Sequence, residues 1–82
     1  MTSVHHDLAI ELVALLAGAS NRSMSIVAAK DAFCGRTRPI RELHAAMGYA
    51  HASGWLVYSD DYLRIRLQPL GLALAARAAM AS

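Results

Sequence analysis

A mostly α-helical domain with one small β-hairpin is the fold class this sequence predicts, on three observations. Leu63, Ile65 and Leu67 alternate with Arg64 and Arg66, the period of two that marks a half-buried strand. The rest of the chain is apolar and alanine-rich, 56% hydrophobic but only 6% aromatic, which suits helices packed through small side chains. Glycine and proline punctuate the apolar segments at Gly18, Gly35, Pro39, Gly54 and Pro69, where helices stop and start. The 82 residues are expected to make one domain, spanning 1–82. Such a chain withdraws only roughly 60–65% of its unfolded surface from water, so the core is small.

The hairpin is read in residues 54–67. Gly54-Trp55-Leu56-Val57-Tyr58 is an apolar run, and Ser59-Asp60-Asp61 breaks it. A turn at Asp60-Asp61 places Tyr58 opposite Leu63, Val57 opposite Arg64, Leu56 opposite Ile65 and Trp55 opposite Arg66. Leu56, Tyr58, Leu63, Ile65 and Leu67 then share one face, and a slip of one residue would scatter them. Two strands alone are marginal in water, so helices must cover that face.

A first helix is expected over residues 4–17, with Asp7 near its positive N-terminal end and Gly18 after it. Its apolar residues run nearly all the way round. Adjacent His5 and His6 diverge by about 100° on a helix and suit a solvated end better than a metal. Ser23 or Ser25 can cap a second helix, from about Met24 to Cys34, closed by Gly35. A third helix is predicted from Pro39 to about Ser53, with Thr37 as its N-cap and Gly54 as its stop. Ile40, Leu43, Met47 and Ala50 form its apolar stripe, and Arg38, Arg41, Ala45 and Tyr49 the opposite one. His44 and His51 fall on the boundary, two turns and roughly 10 Å apart, too far to share an ion. A last helix follows Pro69 and carries one charge, Arg77, over residues 70–80.

The order of elements resembles a winged helix-turn-helix domain, more narrowly the MarR-like and HxlR-like bacterial transcriptional regulators. The resemblance is carried by residues 54–74: a glycine closing the third helix, an apolar strand, a wing tip, a strand bearing Arg64 and Arg66, and the step Leu67-Gln68-Pro69-Leu70-Gly71. It implies a DNA-binding transcriptional regulator, a repressor, that grips duplex DNA as a homodimer through helix 38–53 and the wing. The residues it assigns to DNA are Arg36, Thr37, Arg38, Arg41, Ala45, Tyr49, Arg64 and Arg66. The dimer would form through the first and last helices. Their Leu8, Ile10, Val13, Leu16, Leu70, Leu74 and Met80 exceed what one small core is expected to enclose.

Placement of charge supports that expectation more than its sum does, because the net charge is only +2. Five of eight basic residues lie in the turn, third helix and wing, where they can neutralise phosphates or read guanine. The wing tip is acidic where the resembled family carries arginines. It therefore opens an alternative: a winged-helix adaptor or inhibitor that docks on a protein partner without DNA, with Tyr49 as an anchor.

Other classes of function find little footing. There is no paired-carboxylate site, no Ser–His–Asp spacing and no phosphate loop, so no enzyme, cofactor or metal is expected. The one cysteine, Cys34, reads as a small buried hydrophobe and suits a reducing cytoplasm. No apolar run reaches membrane-spanning length and no basic leader precedes the first helix, so neither membrane nor export is expected.

Overall fold

The computed structural model describes residues 4–81 as four helices and a small three-stranded antiparallel sheet. The helices are α1 (Val4–Ala17), α2 (Ile26–Cys34), α3 (Ile40–Ala52) and α4 (Pro69–Ala81). The strands are β1 (Ser23–Ser25), β2 (Leu56–Tyr58) and β3 (Arg64–Leu67), in the order β1-β3-β2. The mostly helical class holds, but the two-stranded hairpin is corrected to three strands. Ser23-Met24-Ser25 shows no apolar alternation of its own. It is a strand because β3 offers a free edge, and it pairs there as Ser23↔Arg66, Met24↔Ile65 and Ser25↔Arg64. The second helix therefore starts at Ile26, after Ser25 rather than at Met24. The Ser25 hydroxyl caps it by accepting from the Ala28 N–H at 3.1 Å.

α1 is the spine. Leu8, Ala9, Leu12, Val13 and Leu16 form its buried face, packed most extensively on α3 and also on α4, α2 and β3. Leu43, Ala46, Met47 and Ala50 answer from α3, and Leu56, Ile65 and Leu67 close the core from the sheet. Cys34 is buried, as expected. Leu8, Val13 and Leu16, assigned to a dimer interface, are instead enclosed by the chain itself. The core is larger than the sequence tally allowed because four helices and a sheet all converge on α1.

β2 and β3 pair as Leu56↔Leu67, Val57↔Arg66 and Tyr58↔Ile65, two residues away from the expected register. A shift of two preserves the faces, so Leu56 and Ile65 are buried while Arg64 and Arg66 are exposed. Leu63 is the exception, 65% exposed in the connection. The reason lies in the turn. Two aspartates alone would need two strained positive φ angles. The chain instead spreads the reversal over 59–63 and places only Tyr62 at positive φ (59°). Asp61 Oδ1 accepts from the Ser59 hydroxyl at 2.5 Å and the Leu63 N–H at 3.0 Å. The Ser59 hydroxyl in turn accepts from the Arg64 N–H at 3.1 Å.

Two junctions fix α3 and α4 against the sheet. Past α3, Gly54 takes a φ of 79°, and the Gly54 and Trp55 N–H groups bond back to the His51 and Ala50 carbonyls. At α4, a methyl group added to Gly71 would collide with the Trp55 carbonyl, so only glycine lets the helix lie this close. No helix among the described residues is long and apolar enough to cross a membrane.

Candidate nucleic-acid interface

The turn 35–39 joins α2 to α3. The Arg38 N–H bonds the Cys34 carbonyl at 3.0 Å, and Gly35 closes α2 at a φ of 57°. Pro39, not Thr37, occupies the N-cap position of α3, with extended backbone and no side-chain cap. Thr37 and Arg36 are exposed in the turn.

Around α3, the structure separates the residues expected on one reading face. Arg38 is half-buried and held. Its guanidinium makes a two-pronged bond to the Glu11 carboxylate of α1 at 3.2 Å. It also pairs with Glu42 at 3.6 Å and lies 4.5 Å from the centre of the Phe33 ring. Tyr49 is half-buried too. Its ring stands 5.6 Å from His6 and 5.7 Å from Trp55, and His6 and Trp55 are 5.8 Å apart. His6 is therefore part of a three-ring junction between α1, α3 and the start of β2, a correction to its reading as a solvated end. Ala45 is half-buried on the same flank. The helical wheel alone could not show this, because the flank is covered by α1.

The other flank is open. Arg41, His44, Gly48 and His51 are all exposed, at steps of three, four and three residues that keep them on one side of the helix. Ile40, expected in the core stripe, lies at the edge of this flank and is 45% exposed; Ala46 takes its place inside. Polarity hid this face, since two histidines and a glycine read as bland beside a tyrosine. The burial of Ala46 in place of Ile40 turns the core stripe by about 30°, roughly a third of one residue's step, and brings this face out.

From His51 the surface continues into the sheet connection. The His51 and Tyr58 rings are 4.9 Å apart, and Tyr58 and Tyr62 are 5.9 Å apart. Burial raises the Tyr58 pKa above its ordinary value. Tyr62 is 70% exposed beside exposed Leu63, so the tip presents apolar groups as well as Asp60. Asp61 is engaged in the turn. The Ser59 hydroxyl first, then the Leu63 N–H, hold its carboxyl below the usual carboxylate range.

The outer face of the sheet carries Arg64 and Arg66 on its central strand. They border a shallow depression of about 310 Å³ together with Ser23, Val57 and Ser59. The Arg64 guanidinium donates to the Ser23 hydroxyl at 3.4 Å, a contact that only the third strand makes available. Among the described residues Arg36, Arg41 and Arg66 carry no ion pair, whereas Arg38 engages both Glu11 and Glu42. The exposed surface of α3, the turn before it and the sheet is thereby left with free cations.

On the last helix, Leu70, Leu72 and Met80 are exposed, and Leu74 is half-buried, as is Ile10 of α1. No protein-family model, curated protein or solved structure matches the chain.

Proposed function

We propose that this chain is a winged helix-turn-helix regulator that binds duplex DNA. α2, the turn 35–39 and α3 are the helix-turn-helix, and β2, β3 and their connection are the wing. The observation that carries the reading is the open flank of α3, headed by Arg41 and preceded by Arg36. An α-helix fits the major groove, and arginine reads guanine O6 and N7 through two parallel bonds. Arg64 and Arg66 supply phosphate contacts from the sheet. The reading residues are thus Arg41, His44 and His51 in place of Arg38, Ala45 and Tyr49.

A homodimer completes the reading, and it uses the outer side of α4, where Leu70, Leu72 and Met80 stand in water in the single chain. Two copies would set their α3 helices about 34 Å apart, one turn of DNA. Repression would follow from occupying the operator.

The adaptor reading is favoured by one feature, the exposed Tyr62–Leu63 tip, which is better suited to an apolar partner than to phosphate. Selection from a random duplex pool at roughly 50 mM salt separates the two. The DNA reading predicts enrichment of a motif with two-fold symmetry. No enrichment, with protein capture that depends on Tyr62, would support the adaptor.

A further inference from the structure

Gly48 occupies the middle of the open flank of α3, exposed, with Arg41 and His44 before it and His51 after it. Glycine inside a helix is less favourable than alanine, through the backbone freedom it loses on folding. Such a cost commonly has an internal reason, as at Gly71, where a side chain would strike the Trp55 carbonyl. Gly48 has none: beyond its chain neighbours and the adjacent helix backbone, a Cβ placed there meets no atom within 4 Å. Its φ is not in the left-handed region either, so no turn requires it.

Nothing within the described residues therefore requires a glycine at this position. We infer that Gly48 is a specificity-determining position, where the α3 backbone comes close enough to a base-pair edge in the major groove that a single methyl group would hold it off. This rests on the DNA reading above and adds a residue to it. The surrounding chemistry suits that occupant. Arg41 and Gly48 are seven residues apart, roughly 10 Å along the helix, which is about three base-pair steps at 3.4 Å each. The cation and the notch thus address two ends of a short run of bases, with the imidazoles of His44 and His51 beside the notch as donors or acceptors.

The test is Gly48→Ala, measured for both stability and binding to the duplex selected with the parent protein. Stability and binding should move in opposite directions. The melting temperature should rise by about 4–8 °C, the shift for a gain in helix propensity in a domain of this size. Affinity for the selected duplex should fall by about tenfold or more, while binding to random duplex changes little. Arg41→Ala is the control, expected to weaken binding with no rise in melting temperature. A Gly48→Ala variant that melts higher and binds the selected duplex like the parent overturns the inference and leaves the DNA reading standing. A parent that selects no duplex, while Arg41→Ala changes nothing, overturns both.

Discussion

Arg38 and Arg41 are three residues apart, yet they stand in opposite situations. Arg38, in the turn just before α3, faces α1 and is held by two carboxylates and an aromatic ring. Arg41 is exposed at the edge of the open flank, where it borders a depression shared with Val4, His5 and Leu8 of α1. The same contrast runs along the helix, with Tyr49 stacked into a three-ring junction on one side and Gly48 bare on the other. Residue type thus does not decide which side of this helix is exposed. The neighbouring helix does, by covering one flank and leaving the other.

Substitutions in α3 and the turn before it test that contrast. The largest effect on stability is expected from Tyr49→Ala, which removes a ring packed on His6 and Trp55 and should cost about 2–3 kcal/mol. Urea unfolding checks it; a loss of DNA specificity at unchanged stability would move Tyr49 to the open side. Arg41→Ala should leave stability within about 0.5 kcal/mol. It should weaken binding to selected DNA by about 1–3 kcal/mol and relax specificity, read by competition with altered duplexes. Arg38→Ala should do the reverse. Its ion pairs are partly exposed, so the loss in stability is only about 1 kcal/mol, and the preferred DNA sequence should stay the same.

The smallest effect concerns the turn between β2 and β3. The folded-state pKa of Asp61 is depressed by the Ser59 hydroxyl and the Leu63 N–H. Its contribution is therefore present above the unfolded carboxylate pKa and is lost as pH falls through the lower, folded one. Acid unfolding followed below the usual carboxylate range should be shallower in Asp61→Asn than in the parent. Equal slopes would mean the turn bonds are not formed in solution.

Much of this was legible in residue patterns. The alternation at Leu63–Leu67 marked β3, and its parity survived a register error because faces repeat every two residues. Gly54 and Pro69 marked the end of α3 and the start of α4 for clear steric reasons. β1 was not legible, because Ser-Met-Ser carries no strand signal without the edge of β3 beside it. The candidate site was half legible. Arg36, Arg41, Arg64 and Arg66 were expected on the surface and are there. Arg38 and Tyr49 were expected on the exposed stripe and are half-buried, because α1, whose Glu11 and His6 lie roughly 30–40 residues earlier, decides their surroundings.

DNA is proposed to meet the open flank of α3, and not the flank under α1. Titrating isotope-labelled protein with the selected duplex, and following the amide and imidazole resonances, tests it residue by residue. Signals of Arg41, His44, Gly48 and His51 should shift together, with Arg64 and Arg66, while those of Tyr49, Ala45 and His6 stay in place. Shifts centred on Tyr49, Ala45 and the start of α1, with the Gly48 signal unmoved, would contradict it.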